Sequence, residues 1–266
     1  MQPKVSFIIP YFNAGSTIQE TIDSILNQSY PNYDIWIVND GSTDQESIEK
    51  LKVFEQHERI TIIHQENRGP GSARNLAAQK SQAAYFVFLD ADDLIYVDAL
   101  DFLITEIHQM DDVLYGNCQY FGERNGTKKQ VQSSLIDILV GNPIALCCLI
   151  KASSFKKIQF DEKLDKIGLE DWELFISMFV ACMSLRYLDS KPLFKIRVSN
   201  FSRTYSVANH RKQEVINYIS LKHSKIIYDN YLRLHRELKY HKTSIEHRIG
   251  FNLLKPYRLI KKYIFK

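Results

Sequence analysis

Tyr85-Phe86-Val87-Phe88-Leu89-Asp90-Ala91-Asp92-Asp93 runs five apolar or aromatic residues directly into three carboxylates within four positions. A short apolar run that stops this abruptly reads as a buried strand delivering acids at its C-terminal end. Carboxylates so close together repel one another unless a cation or hydrogen-bond donors neutralise them. Hard divalent cations, Mg2+ or Mn2+, take oxygen ligands and bridge protein carboxylates to substrate phosphates. The acids therefore predict a metal–diphosphate site. The alternative is a helix N-cap, with Asp92 or Asp93 capping a helix that starts near Val97.

Outward from this strand, residues 1–117 alternate strand and helix. Strands are expected at Val5–Pro10, Asp34–Asn39, Ile60–His64, Tyr85–Leu89 and Val113–Asn117. Helices are expected at Ser16–Gln28, Gln45–Gln56, Gly71–Ser81 and Val97–Met110, the first with Ile18, Ile22, Ile25 and Leu26 on one face and Ser16 as N-cap. This alternation predicts an α/β fold with a mostly parallel sheet covered by helices on both faces. Ligands in such sheets bind beyond the carboxyl ends of the strands. The loops following the first four strands all fall on that edge: Tyr11–Gly15, Asp40–Asp44, Asn67–Asn75 and Asp90–Asp93. All four are rich in polar, acidic or glycine residues.

Beyond Asn117 the pattern is less regular. Gly122–Ser134 reads as a polar loop and Leu146–Ile150 as a short strand. Glu170-Asp171-Trp172 opens an apolar helix to Cys182, and strands are expected at Leu185–Leu188 and Leu193–Ile196. From His210 the chain reads as an amphipathic helical extension, with Val215, Ile216, Ile219, Ile226 and Ile227 on one stripe.

The chain has 266 residues, 45% of them hydrophobic, enough for a large core. No apolar run reaches the 18 residues of a membrane span, and Val5–Pro10 is too short for a signal-peptide core. Cys118, Cys147, Cys148 and Cys182 show no metal-ligand spacing and read as reduced thiols, which predicts a cytoplasmic protein. The net charge of +3 is unevenly spread: residues 233–266 hold ten Lys/Arg against two Asp/Glu, the preceding 232 residues 24 against 29. A basic tail on a mildly acidic body predicts an anionic partner surface, membrane or nucleic acid. After Pro256, basic Arg258, Lys261, Lys262 and Lys266 alternate with Leu259, Ile260, Ile264 and Phe265 at near-helical spacing. That favours an interfacial membrane helix on the inner face of the cell membrane over nucleic acid, with packing on the main body as the alternative.

The loops in this order resemble the family 2 glycosyltransferases, which have the GT-A fold. Val5-Ser6-Phe7-Ile8-Ile9-Pro10-Tyr11-Phe12-Asn13 is similar to that family's first strand and nucleotide loop. Val38-Asn39-Asp40-Gly41-Ser42-Thr43-Asp44 resembles its second signature, and Asn67-Arg68-Gly69 through Ala73-Arg74-Asn75 its third. Leu89-Asp90-Ala91-Asp92-Asp93 resembles its DxD metal motif, and Glu170-Asp171-Trp172 its late acidic motif. The resemblance covers roughly residues 4–200. It implies a domain over 1–205, with a nucleotide-binding half (1–117) and an acceptor-binding half (118–205), followed by a basic helical extension over 206–266. It further implies inverting transfer of a sugar from a nucleotide-diphosphate donor, UDP-sugar favoured, to a saccharide or lipid-linked acceptor in bacterial surface polysaccharide or glycolipid assembly.

Roles follow by position. Asp40, an acceptor-only carboxylate, is expected to take a hydrogen bond from the base, typically uracil N3–H; the alternative is a plain Asp-Gly turn residue. Pro10, Tyr11 and Asn13, with Gly41 and Ser42, are expected to shape the nucleotide pocket, Tyr11 either stacking on the base or simply packing. Arg74 is expected to reach the base or diphosphate, or else to pair with a nearby acid. Gly69 and Gly71 permit close backbone approach or positive φ. Asp92 is the expected ligand of Mn2+ or Mg2+, with Asp90 on the ribose or metal-bound water and Asp93 a cap or donor-sugar contact. Asp171 is the expected general base, Trp172 its apolar wall and Glu170 a support for the acceptor; both acids also suit a helix N-terminus. One departure stands out. Arg197 in Phe194-Lys195-Ile196-Arg197 occupies the place where the family often carries a metal-binding His. A guanidinium does not ligate metals but can grip a diphosphate. His210 reads as a solvated helix-start residue.

Two other readings compete. A sugar-1-phosphate nucleotidyltransferase usually needs a Lys/Arg-bearing, Gly-rich N-terminal loop, and Val5–Gly15 has neither Lys nor Arg. A non-catalytic nucleotide-sugar or nucleic-acid binder would have no need of Asp90, Asp92 and Asp171.

Overall fold

The computed structural model describes residues 2–165, 167–199 and 211–238. Seven strands form the main sheet: β1 (Val5–Tyr11), β2 (Tyr33–Asp40), β3 (Ile60–Gln65), β4 (Tyr85–Phe88), β6 (Val113–Gly116), β9 (Leu149–Lys151) and β10 (Leu185–Leu188), in the order β10-β6-β9-β4-β1-β2-β3. All neighbours are parallel except β9, which runs antiparallel to both β4 and β6. The strands at the centre are apolar on both faces, and β1 buries Val5, Phe7, Ile8, Ile9 and Tyr11 completely. That is the pattern expected of a sheet covered on both sides.

The first three helices are α1 (Ile18–Leu26), α2 (Gln45–Phe54) and α3 (Pro70–Lys80). Then come α4 (Ala99–Glu106), α5 (Leu135–Val140), α6 (Ala152–Phe155) and α7 (Glu170–Val180). One face of the sheet buries Phe7 and Ile9 with Ile18, Ile22 and Ile25 of α1 and Leu100 and Leu103 of α4. The other buries Ile8, Phe86 and Phe88 with Ala73 and Ala77 of α3 and Leu174, Phe175 and Met178 of α7. Local chemistry sets the helix starts. Asp44 accepts the Ser47 N–H at 2.8 Å to cap α2, and Ser134 with Asp137 makes a reciprocal capping box on α5. Pro70 opens α3 behind Gly69, whose φ of 106° suits glycine.

A second sheet was not expected. β5 (Leu94–Ile95), β11 (Phe194–Val198), β7 (Cys118–Gly122) and β8 (Gly126–Lys128) lie side by side in that order. The segment expected to be a polar loop therefore contains a strand, β8, which pairs antiparallel with β7. Asp92 and Asp93 do not cap α4, since Asp98 occupies that position without a side-chain bond.

The described part of the C-terminal extension is two helices, α8 (Lys212–Lys222) and α9 (Ser224–Leu238). Val215 and Ile219 are buried in the same core as α7. Below them His223 Nε2 meets Glu173 Oε1 at 2.9 Å, and Lys222 Nζ reaches both Glu173 at 2.8 Å and Asp161 at 2.6 Å. Burial opposes the Glu173 charge, but the bonds from His223, Lys222 and Ser177 win and lower its pKa. The basic segment after Pro256, and His210, lie outside the described residues. Among the described residues no helix is long and apolar enough to cross a membrane.

Candidate active site

Because β1, β2 and β4 are parallel, their loops emerge on one edge. Asn13, at φ 49°, locks the first two together: its N–H donates to Ser42 Oγ at 3.1 Å, and its Oδ1 accepts the Thr43 N–H at 2.8 Å. Asn39 Oδ1 accepts the Ser42 N–H at 2.9 Å. Gly41, at φ 72°, leaves only 2.8 Å from where a Cβ would stand to the Asn67 nitrogen, so the β2 and β3 loops touch there. Asp40 fastens that contact. Its carboxylate accepts from the backbone N–H groups of Arg68 at 2.8 Å and Gly69 at 2.9 Å, and from Gln65 Nε2 at 2.7 Å. It is buried, and here it serves as the staple of the loop.

Tyr11 is fully buried, and its hydroxyl donates to the Ser47 carbonyl at 2.8 Å. The strand alternation turns its ring into the core, while Pro10 is half-buried beside it. The next residue, Phe12, is 46% exposed. It is the aromatic that the sequence reading passed over, and the period-two pattern of β1 was the signal that would have found it.

The acids at the end of β4 differ in environment. Asp90 is half exposed and pairs with Arg74 Nη2 at 2.5 Å. Burial, reinforced by the Asp90 charge, pushes Asp92 up to about 6. Asp93 is buried and held well above the usual carboxylate range, first by burial and then by Asp90 and Asp92. Its Oδ1 accepts the Arg197 N–H at 2.8 Å, so it supports the second sheet from below. Arg197 does lie against this cluster. Its Nε donates to the Asp92 carbonyl at 3.1 Å, its guanidinium covers the Phe121 ring at 4.4 Å, and Nη2 pairs with Glu20 at 2.6 Å.

Arg74 connects the two acidic motifs. It is buried, with Nη2 on Asp90 and Nη1 on Glu170 Oε1 at 3.0 Å. Burial works against its charge, but the flanking carboxylates outweigh that and raise its pKa. It is thus an internal strut, the alternative to a direct base or phosphate contact. Next to Glu170, Asp171 sits in the first turn of α7, behind Leu169 at φ 62°. Burial, then the charge of Glu170, pushes Asp171 up to about 6, against the lowering effect of the Trp172 N–H, Arg74 and Lys128. Asn142 Nδ2 donates to its Oδ2 at 2.8 Å. Trp172 is buried, with Nε1 on the Ile138 carbonyl at 2.6 Å, which pins α7 to α5. Asn142 and Lys128 are additions to the expected site. Neither belongs to a contiguous motif, so only the fold reveals them.

Asp90 and Asp92 offer two hard oxygen donors of the type Mg2+ and Mn2+ favour. Among the described residues no three His, Cys, Asp or Glu converge to hold a metal. Arg197, in the place of the expected His, adds no ligand. The donor set fits a cation held by two carboxylates and completed from outside the protein, and does not fit a closed protein cage.

The profile of the family described as glycosyl transferase family 2 matches residues 6–182, and the chain belongs to that family. An uncharacterized glycosyltransferase of Rickettsia bellii is 31% identical over 82% of this chain, which spans 32% of that protein. One of Haemophilus influenzae is 31% identical over 77% of this chain and 81% of its own length. Glycosyltransferase GlyA of Streptococcus pneumoniae is 30% identical over 76% of this chain and 32% of its own. The chain spans about a third of the length of the first Rickettsia relatives it matches. The GT-A fold is shared with S. aureus TarS in complex with UDP-GlcNAc, at a TM-score of 0.69 and 19% identity over 94% of this chain and 79% of that one. The mannosyltransferase PcManGT from Pyrobaculum calidifontis, in complex with GDP-Man and Mn2+, matches at 0.58 with 18% identity over 84% and 64%.

Proposed function

We propose that the protein transfers a sugar, with inversion, from a nucleotide-diphosphate donor to an acceptor hydroxyl. The observation that carries this reading is the Asp90–Arg74–Glu170 strut, which ties the first turn of α7, where Asp171 sits, to the acidic end of β4. Asp171 takes the proton of the acceptor hydroxyl as that oxygen attacks the anomeric carbon, and the bond from that carbon to the diphosphate oxygen breaks. A carboxylate with a pKa near 6 is a suitable base at neutral pH: mostly ionised, yet more basic than a solvated Asp. Asp92 and Asp90 would hold Mn2+ or Mg2+, which when bound neutralises the departing diphosphate. The Mn2+ in the PcManGT complex supports that metal.

UDP is the favoured nucleotide, supported by the UDP-GlcNAc complex of TarS. Phe12 offers an exposed ring for the base, beside the loop that Asp40 fastens. The acceptor is a saccharide or lipid-linked saccharide of a bacterial surface glycan. The protein acts in the cytoplasm, its basic tail resting on the inner face of the membrane through lysines that contribute about 1 kcal/mol each near an anionic surface. Flotation with anionic vesicles tests the tail: truncation after Leu253 lowers binding, and equal binding of both forms overturns the membrane role. For the activity, UDP-, GDP- and dTDP-sugars are incubated with Mn2+, with and without acceptor saccharides. Acceptor-dependent release of UDP is the expected result; pyrophosphate formation, or no turnover of any donor, overturns the reading.

A further inference from the structure

Phe160, Glu162, Asp165 and Glu170 are each tied to α3 or to the loop that enters it. Asn75 donates to the Phe160 carbonyl at 3.0 Å and accepts the Phe160 N–H at 3.1 Å. Arg68 pairs with Glu162 at 2.9 Å, and Arg74 with Glu170 at 3.0 Å. Between these ties the buried Asp165 accepts the N–H of Gly71 at 2.6 Å and of Ser72 at 2.8 Å. Both N–H groups lie in the first turn of α3 and have no helical partner of their own. The carboxylate also meets the positive end of that helix.

The two glycines of the loop take their meaning from this contact. A Cβ on Gly69 would lie 2.4 Å from Asp165 Cβ, and one on Gly71 2.7 Å from Asp165 Oδ1. A glycine-rich loop leading into a helix N-terminus is a common cradle for a bound phosphate. In this chain the cradle is filled from within. The Gly-Pro-Gly spacing makes room for a carboxylate six residues upstream of Asp171, on the segment that leads into α7.

We infer that Asp165 is a positioning residue for the base. It fixes the start of α7, and with it Asp171, to the helix whose Arg74 holds Asp90. Donor half and base are thereby one rigid unit, set by Asp165 at one end of the segment and by Glu170 at the other. The inference rests on the transferase reading for its effect on turnover, though not for the strap itself.

The test uses the full chain with Asp165→Ala, and Asp165→Asn in its place where the alanine variant does not fold. Wild type and variant are compared with and without formate, a free carboxylate able to refill the helix end without tying it to α7. Transfer is expected to fall roughly 10- to 100-fold, as misplacement of a reacting group does, while donor Kd stays within about twofold because the Asp40 staple is untouched. Amide exchange over residues 160–172 should accelerate. Formate should restore the melting temperature and the protection of residues 70–73, but neither the rate nor the protection of 160–172. Unchanged exchange over 160–172, or full rescue by formate, overturns the inference and reduces Asp165 to a helix cap. Wild-type protein without transfer activity would refute the proposed function instead, and the exchange data would still decide the strap.

Discussion

The amide of Asn142 donates to the Asp171 carboxylate across 2.8 Å, joining the turn after α5 to the first turn of α7. This bond favours the ionised carboxylate, while burial and Glu170 favour the protonated one. A base must be ionised to act. Turnover is therefore expected to be full well above pH 6 and to fall as pH drops through about 6. Asn142→Ala removes a donor to the charged form, so the acidic limb of the kcat/KM profile should move to higher pH. A limb that stays in place would disconnect Asn142 from the base.

Asp171→Asn keeps the shape of the side chain and loses the proton acceptor. The transfer rate should drop roughly 10²–10⁴-fold, with UDP-sugar affinity near normal by calorimetry. Wild-type turnover would leave Asp171 as a helix-terminal charge only.

Asp92→Asn should leave the fold intact and abolish the gain in UDP affinity that Mn2+ confers. The comparison is calorimetric, with Mn2+ present for both proteins. Equal affinities would remove Asp92 from the metal site. In wild type, Mn2+ with UDP together should raise the melting temperature more than either alone.

Arg74→Ala would leave the buried Glu170 and the half-exposed Asp90 with no cation between them. Loss of one partner from a buried ion pair costs about 3–5 kcal/mol; solvent screens the Asp90 side, so the cost falls mainly on Glu170, and the urea midpoint should drop. Arg74→Lys should recover only part of this, because a single ammonium cannot span both carboxylates as the guanidinium fork does. A midpoint unchanged in Arg74→Ala would show that the strut contributes nothing.

The Rossmann-like half was legible because its signals are local. Apolar strands and amphipathic helices at short spacing specify Val5 to Met110 within a few residues. The parallel edge then follows, and with it the convergence of Asn13, Asp40, Asp90 and Asp92. The direction of β9 was not legible, since the apolar run Leu146–Ile150 reads the same whichever way the strand points. The second sheet escaped because β5 has two residues and β8 three, too short for any period to show. Asp40 and Arg74 were picked out by motif, but the sequence does not reveal that their nearest partners are other parts of the protein. Asp165, Asn142 and Lys128 belong to no motif and gain their meaning only from what folds against them.

Glu173 and His223 are fifty residues apart in the chain and meet only when α8 packs against α7. A ribosome delivers them in sequence, and domains generally begin folding from the N-terminus as they emerge. When residues 6–182, the whole family match, have left the exit tunnel, the fully buried carboxylate of Glu173 still lacks both Lys222 and His223. An unpaired charge does not stay dry at that depth. The rear of α7, with Asp171 carried at its front, is therefore expected to lock into place only after the helices beyond residue 211 arrive.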